Sequence, residues 1–272
     1  MSRDLLAIIG AGNIGRAMAE GLVSAGTFDP SAIILTRRHV NALEDLTARG
    51  FRTQSDNLGA VRDADTVVLA VEPQQLDAVL REIRPMLDRD RHVLISVVSG
   101  ASVEDIHEQI GGEIDVVRAM PNTAIALRQS MTCLATSSER VSVLERAQKI
   151  FTAVGETMVI DEQLMVPATA LCACGIAFFL RAVRAASQAG IEIGFHPQEA
   201  LKMAAQTALG AASLVLDTGE HPERGIDNVT TPRGCTIAGL NELEHCGFSS
   251  AMIKGLVTSF HKASGLYQGP SD

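Results

Sequence analysis

Short apolar runs alternate with amphipathic segments over the first 160 residues of the chain. The runs have the length of strands and are rich in Val, Ile and Leu, which is typical of parallel strands covered on both faces. Strands are predicted at Leu5–Ile9, Ala32–Thr36, Thr66–Val71, His92–Val98, Asp115–Ala119, Met131–Ala135 and Thr157–Ile160. Helices are predicted between them, including Asn41–Arg49, Gln74–Met86, one from Ser102 to Ile110 and Glu139–Ala153. This alternation predicts an α/β fold with a doubly wound, mostly parallel sheet.

The strand signal ends near Asp161, and the remaining apolar residues recur at helical spacing. We therefore predict two domains, one at residues 1–162 that binds a dinucleotide and an all-α one at residues 163–272. The predicted helices of the second domain are Gly175–Ala189, Pro197–Leu216, Thr236–Cys246 and Phe248–Leu266.

One apolar segment, Leu164–Leu180, approaches the length of a membrane span but contains Pro167, Thr169 and Gly175. We interpret it as a helix buried in protein and predict no membrane partner. The next helix has a face of small and apolar residues that allows close helix packing. That face comprises Ala200, Met203, Ala204, Thr207, Ala208, Ala211, Leu214 and Val215. So much apolar surface predicts an obligate homodimer, or a higher assembly of such dimers.

Composition narrows the classes of partner. A net charge of -9 and a pI near 5.3 argue against a nucleic-acid partner, and one Tyr with no Trp leaves no platform for stacking bases. Five cysteines in 272 residues do not form a disulfide framework, which predicts a reducing compartment. The N-terminus leads directly into the first strand without a targeting segment, so we expect a cytoplasmic protein.

A G-x-G-x-x-G motif lies between the first predicted strand and an apolar-striped helix. In that context Gly10 makes the turn, Gly12 lets the backbone approach a pyrophosphate, and Gly15 lets the helix pack closely on the strand. The free amides and the positive dipole end of the helix suit an anion. The predicted Rossmann-like pyrophosphate site comprises Gly10, Gly12, Asn13, Ile14 and Gly15.

The end of the second predicted strand indicates which dinucleotide is bound. An NAD site has an Asp or Glu about 20 residues beyond the glycines, where it accepts from the ribose 2′-hydroxyl. Here the chain has Thr36, Arg37 and Arg38 instead. A hydroxyl and two guanidinium groups suit a 2′-phosphate, so we predict NADP in preference to NAD.

Three segments follow predicted parallel strands directly, at Gly10–Gly15, Ala70–Pro73 and Ala119–Asn122. Ligands of doubly wound sheets bind beyond the carboxyl ends of the strands, so we expect these segments to lie near the cofactor.

Four further segments, together with the glycine motif, carry a resemblance to a known family. In order and spacing they resemble pyrroline-5-carboxylate reductase, the last enzyme of proline biosynthesis, over essentially the whole chain. The segments are Leu69–Gln74, Val117–Thr123, Ala205–Gly210 and Val229–Leu240.

The resemblance implies roles for individual residues. Nicotinamide and ribose contacts are implied for Ala70, Val71, Pro73, Ala119, Met120, Pro121 and Asn122, and an approach to the adenosine for Asn57. The implied substrate segment is Thr231 to Thr236, with the amides of Gly234 and Cys235 on the carboxylate and the Thr236 hydroxyl beside the ring nitrogen. Hydroxyl residues before a helix also act as caps, which is the structural alternative. The implied reaction is hydride transfer from NADPH to a five-membered cyclic imine, giving L-proline.

The chain also departs from the family pattern. Cys172, Cys174 and Ile176 stand where the family has Ser-Gly-Ser-Gly-Pro, and Arg233 replaces a small residue beside the implied carboxylate site. Elsewhere Glu72 replaces a usual Lys and Ala124 a usual Pro. No second Cys or His pair follows Cys172 and Cys174 at ligand spacing, so we predict no metal.

Two alternatives to the implied reaction stay open. One is reduction of a related cyclic imine carboxylate such as a six-membered ring, and the other is an NADP-binding regulatory protein without activity. A β-hydroxyacid dehydrogenase is disfavoured, because no lysine occurs between Asp161 and Gln188 to serve as its helical acid-base group.

Overall fold

A computed structural model describes residues 5–111, 113–267 and 269. Within these residues eight strands form one sheet in the order β3-β2-β1-β4-β5-β6-β7-β8, and only the β6/β7 pair is antiparallel. The strands are β1 (Leu6–Ile9), β2 (Ile33–Thr36), β3 (Arg52–Gln54), β4 (Thr66–Leu69), β5 (Val93–Ser96), β6 (Asp115–Met120), β7 (Ser130–Thr136) and β8 (Gly155–Val159). The prediction of a doubly wound, mostly parallel sheet is confirmed.

Helices connect the strands and then form the second half of the chain. Those of the first half are α1 (Asn13–Ser24), α2 (Glu44–Ala48), α3 (Asn57–Asp63), α4 (Leu76–Ile83), α5 (Val103–Ile110), α6 (Val141–Thr152) and α7 (Met165–Ala168). A π-helical turn, Thr169–Cys174, follows α7. The remaining helices are α8 (Gly175–Glu192), α9 (Pro197–Thr218), α10 (Pro222–Val229), α11 (Cys235–His245) and α12 (Phe248–Ala263).

The central strands are buried on both faces, because successive side chains enter different cores. Leu6 and Ile8 of β1 belong to the core that contains α1 and α6, whereas Ala7 and Ile9 belong to the one that contains α3, α4 and α5. This explains the uninterrupted apolar runs, since an alternating pattern requires one face in water.

The order of strands reverses direction between β1 and β4, which are hydrogen-bonded neighbours. The chain leaves β1 into the glycine turn and leaves β4 at Ala70, whose N–H donates to the carbonyl of Ile9 at 2.8 Å. The glycine turn and Ala70 therefore lie side by side at the switch point where doubly wound sheets bind ligands.

Several predicted elements have sharper bounds in the structure. Helix α5 begins with a capping box, since the Ser102 hydroxyl accepts from the N–H of Asp105 and the Asp105 carboxylate accepts from the N–H of Ser102. Strand β3 and helices α3 and α10 were absent from the sequence-based prediction. All three are at most eight residues long and rich in polar residues.

The described residues fall into two compact units. The first runs through Cys174 and resumes at Ser259, and the second is Gly175–Thr258. Helices α8 to α11 and most of α12 form the second unit, which contains no strand among its described residues, as predicted. The predicted domain boundary after residue 162 stays a prediction.

The apolar segment after residue 162 is less covered than predicted. One continuous helical stretch, Glu162–Glu192, is long and apolar enough to cross a membrane by length and composition, and 28% of its most apolar window is buried. A single stretch of this kind is weak evidence for a membrane span. Within the single chain Leu171, Phe179 and Leu180 are 59%, 63% and 62% exposed, so the chain alone does not provide the predicted burial at these positions. Phe179 and Leu180 lie in α8, which packs against α9, and Leu171 lies in the π-helical turn before it.

Candidate active site

Two of the three motif glycines occupy positions that no other residue fits. Gly10 has φ +98°, and a Cβ on it would lie 2.6 Å from the Ala70 carbonyl oxygen. A Cβ on Gly15 would lie 2.5 Å from the carbonyl oxygen of Gly10. Both separations are shorter than real Cβ contacts, so Gly10 permits the turn and Gly15 permits close packing of α1.

Gly12 is different, because a Cβ built there meets nothing within 4 Å. Its backbone caps α1, which has no side-chain cap and no acidic residue in its first turn. The N-terminal amides of α1 are therefore available to an anion, and the open space over Gly12 suits a pyrophosphate. The residues present fit a dinucleotide cofactor.

The end of β2 is tied to this turn through its backbone. The Thr36 carbonyl accepts from the N–H groups of Gly10 at 3.2 Å and Ala11 at 2.9 Å, while Thr36 itself is 1% exposed. Arg37 and Arg38 are exposed, and the Arg37 Nη1 donates to the Ala11 carbonyl at 3.4 Å. Two cationic side chains therefore lie beside the glycine turn.

Nearby carboxylates are already paired with other arginines. Asp45 hydrogen-bonds Arg16, and Glu20 accepts from Arg49 at 2.5 Å and lies 3.8 Å from Arg16. Among the residues that the structure describes, neither Arg37 nor Arg38 has an ion-pair partner within 4 Å. Their positive charge remains available to a ligand anion.

Asn57 begins α3, which Asp56 caps by accepting from the N–H of Gly59. Its Nδ2 donates to Glu82 at 3.0 Å. Sequence reasoning missed Gln54 of β3, whose carbonyl accepts from the Arg37 N–H at 3.1 Å and so fixes the backbone that carries the arginines. The polar three-residue strand gave no periodic signal that identified it.

The segments after β4 and β6 differ in exposure. Ala70, Val71 and Pro73 are half-buried, whereas Ala119 and Met120 are 1% and 3% exposed. Pro121 and Asn122 are also buried. The β4 segment lies against the glycine turn at Gly10. The β6 segment is hydrogen-bonded through Asn122 to β7 and to the π-helical turn.

Asn122 uses all of its polar groups. Its N–H donates to Ser130 Oγ at 3.0 Å, its Nδ2 donates to the Cys172 carbonyl at 3.2 Å, and its Oδ1 accepts from the Ala124 N–H at 3.0 Å. It therefore fixes the loop after β6 against β7 and the π-helical turn. Sequence reasoning missed Ser130, because a serine at the edge of an apolar run has no distinctive spacing.

A buried ion pair supports the same strand. Arg118 of β6 is 4% exposed, and its Nη1 donates to Glu162 Oε1 at 3.2 Å. Burial lowers the pKa of the Arg118 guanidinium, and the hydrogen bond that Arg118 donates to Glu162 opposes that shift. The same Glu162 oxygen accepts from the Val103 N–H at 2.7 Å, so this carboxylate joins β6 to the start of α5.

The implied substrate segment lies in the second unit, at the start of α11. The Gly234 N–H donates to the Thr231 carbonyl at 2.9 Å, and a Cβ on Gly234 would lie 2.5 Å from Thr231 Oγ1. Arg233 adopts φ +60°, a conformation unusual for a residue with a side chain. Gly234 caps α11 without a side-chain hydrogen bond, so the first amides, including those of Cys235 and Thr236, are not capped.

A doubly wound sheet with a glycine turn at its switch point is typical of domains that bind NAD(P), most of which belong to oxidoreductases. The family profile described as NADP oxidoreductase coenzyme F420-dependent matches residues 5–100, and the one described as Pyrroline-5-carboxylate reductase dimerisation matches residues 162–266. The chain belongs to the pyrroline-5-carboxylate reductase family. Pyrroline-5-carboxylate reductase 2 of Dictyostelium discoideum is 44% identical over 95% of this chain and 92% of that protein.

Two further comparisons agree with this assignment. Pyrroline-5-carboxylate reductase 1 of D. discoideum is 51% identical over 96% of this chain, which spans 50% of that relative's length. A solved structure of a pyrroline-5-carboxylate reductase from Coxiella burnetii is 29% identical, with a TM-score of 0.88 over 98% of this chain and 100% of that chain. The resemblance found in the sequence is confirmed.

Proposed function

We propose that NADPH, in preference to NADH, is the donor for the reaction that family membership assigns to this chain, reduction of 1-pyrroline-5-carboxylate to L-proline. The observation that carries the preference is the pair of cations at Arg37 and Arg38, which have no carboxylate partner among the described residues. A ribose 2′-phosphate supplies the missing anion, whereas a 2′-hydroxyl needs the carboxylate that this strand end lacks.

The cofactor is held by three parts of the first unit. The α1 amides and the glycine turn bind the pyrophosphate, Arg37 and Arg38 bind the 2′-phosphate, and Asn57 approaches the adenosine. Ala70, Val71 and Pro73 contact the nicotinamide side together with the segment Ala119–Asn122. When bound, NADPH supplies a hydride.

The substrate is bound by Thr231 to Thr236 in this proposal. The unpaired N–H groups at the start of α11 and the positive end of the helix suit a carboxylate. The Thr236 hydroxyl orients the imine nitrogen. A protonated imine is already a good electrophile, so positioning and exclusion of water supply most of what the chain contributes, without a strong acid or base.

The proposed assembly is a homodimer formed by the helical domain, either alone or as part of a higher assembly. The face predicted on α9 supports it, since Met203 is 42%, Leu214 61% and Val215 40% exposed in the single chain. A second copy of the chain that packs on this exposed apolar face of α9 is the simplest way to bury it. None of the five cysteines forms a disulfide in the structure, which supports a reducing location such as the cytoplasm.

The donor preference is tested by steady-state oxidation of NADPH and NADH with 1-pyrroline-5-carboxylate. Wild type is expected to favour NADPH, and the double variant R37S/R38S is expected to lose roughly tenfold or more of that preference, as removal of charge-assisted hydrogen bonds implies. A double variant of two solvent-facing arginines elsewhere, R84S/R89S, serves as the matched control. An unchanged preference in R37S/R38S contradicts the proposal.

A further inference from the structure

Two cysteines lie next to each other at the base of the loop after β6. Cys133 is in β7 and 5% exposed, and Cys172 is partly exposed in the π-helical turn. Cys172 packs against the small apolar core to which Cys133 belongs, together with Met120 and Met165. The two thiol groups are close enough for each to shift the pKa of the other.

This contact gives the two sulfurs different chemistry. The hydrogen bond with Cys133 lowers the pKa of Cys172 to about 7, although burial opposes the shift. The same hydrogen bond, followed by burial, raises the pKa of Cys133. Cys172 is therefore the partly exposed and more readily ionised thiol, and Cys133 is the buried one, which is the division of roles between an attacking and a resolving cysteine.

Both cysteines are connected to the segment that we assign to the nicotinamide side. Cys133 is the register partner of Met120 across the antiparallel β6/β7 pair. The Cys172 carbonyl accepts from Asn122 Nδ2 at 3.2 Å. A covalent change at this cysteine pair is thus transmitted to Met120 and Asn122 through one strand pair and one hydrogen bond.

The backbone that carries Cys172 is suited to a local change. Thr169–Cys174 is π-helical, and such turns are rare and concentrated at functional sites. Among the other cysteines, Cys235 and Cys246 are exposed, and the Cys246 Sγ faces Glu242 Oε1 at 3.6 Å. Neither has a neighbouring thiol among the interactions of the described residues.

We propose that Cys133 and Cys172 form a reversible disulfide when the protein meets a hydroperoxide, and that this bond switches the enzyme off. The effect on turnover rests on the proposed function, whereas bond formation does not. The Cys172 thiolate attacks the terminal oxygen of the hydroperoxide and the O–O bond breaks. Cys172 becomes a sulfenic acid, and the other oxygen departs as hydroxide or alkoxide. The Cys133 sulfur then attacks the Cys172 sulfur, the S–O bond breaks, and water leaves with the Cys133 proton. The two sulfurs lose two electrons, which reduce the peroxide.

Bond formation must move the turn, because a disulfide holds its sulfurs about 2.05 Å apart. The displacement of Cys172 toward β7 weakens the hydrogen bond from Asn122 and shifts the loop after β6. Reduction by a dithiol restores both thiols and the original hydrogen bond.

The test treats the full-length protein with hydrogen peroxide and maps its peptides by mass spectrometry under non-reducing conditions. A cross-linked peptide pair containing Cys133 and Cys172, lighter by two hydrogen atoms than the free thiols, is expected. In parallel, kcat/KM with NADPH and the imine is expected to fall by roughly tenfold, because a small misplacement of the reacting groups slows the reaction by about that much. It is expected to recover with dithiothreitol.

Variants distinguish this pair from the remaining cysteines. C133S is expected to keep its activity after peroxide, whereas the matched control C246S is expected to be inhibited like wild type. Inhibition of C133S equal to that of wild type, or a peptide map without the Cys133–Cys172 bond, overturns the proposal. If the reduced wild type reduces no imine, the proposed function fails, and the peptide map still decides whether the disulfide forms.

Discussion

At the scale of single residues, Gly12 and Gly15 have different roles, since Gly12 serves cofactor binding and Gly15 serves the packing of the fold. A Cβ on Gly12 has open space around it, whereas a Cβ on Gly15 would lie 2.5 Å from the Gly10 carbonyl oxygen. Gly12→Ala is expected to keep the melting temperature and to raise the Kd for NADPH by roughly tenfold, since a methyl group occupies the approach to the pyrophosphate.

The matched variant Gly15→Ala is expected to behave in the opposite way. Overpacking typically costs about 1–3 kcal/mol, so its melting temperature falls even without cofactor. Calorimetry gives the melting temperatures, and NADPH fluorescence gives the Kd values. Normal cofactor affinity in a correctly folded Gly12→Ala variant contradicts the assignment of this turn to the pyrophosphate.

Thr236 is the residue that we assign to the imine nitrogen. Thr236→Ala is expected to lower kcat/KM for the imine by about tenfold, the value of one hydrogen bond, while the Kd for NADPH stays the same. Thr236→Ser keeps the hydroxyl and is expected to retain most of the activity. If alanine instead lowers stability and cofactor affinity together, Thr236 is a structural residue of the α11 N-terminus and not a substrate contact.

At the scale of elements, Glu162 joins β6 to α5. Its Oε1 accepts from Arg118 at 3.2 Å and from the Val103 N–H at 2.7 Å, and Arg118 is buried. Glu162→Gln removes the charge that compensates the guanidinium, so the free energy of unfolding is expected to fall by roughly 2 kcal/mol. Urea unfolding measures the change, and Glu156→Gln on the exposed side of β8 is the control. Equal stability of both variants argues against this connection.

Some elements of the fold follow from the sequence and others do not. Most of the longer strands were predictable because their side chains enter cores on both faces of the sheet, as in β1, whereas β8 was predicted although its side chains are half-buried or exposed. Strand β3 was not, because Arg52–Gln54 is short and only partly buried. Glycine positions follow from local sterics, but the contacts of Asn122 with Ser130 and Cys172 depend on packing between distant elements. The contact between Cys133 and Cys172 could not be predicted from the sequence for the same reason.

At the scale of the whole molecule, the exposed apolar face of α9 requires a partner surface in the proposed assembly. Leu214 is 61% exposed in the single chain. Leu214→Arg places an unpaired charge in the proposed interface and is expected to weaken the dimer by roughly a hundredfold or more. Sedimentation velocity across a dilution series measures this change.

The control for this experiment is Asp90→Arg, which alters a side chain that is 88% exposed in the first unit. It is expected to sediment like wild type. A Leu214→Arg protein that also sediments like wild type contradicts the assignment of this face to the dimer interface.

The most direct measurement of the central claim is steady-state turnover by purified wild-type protein with NADPH, comparing 1-pyrroline-5-carboxylate with the corresponding six-membered imine carboxylate and identifying the product. We expect stoichiometric formation of L-proline from the five-membered ring, with a higher kcat/KM than for the six-membered one. A preference for the larger ring contradicts the assigned substrate, and tight NADPH binding without turnover of either ring contradicts the assignment of the chain as a reductase.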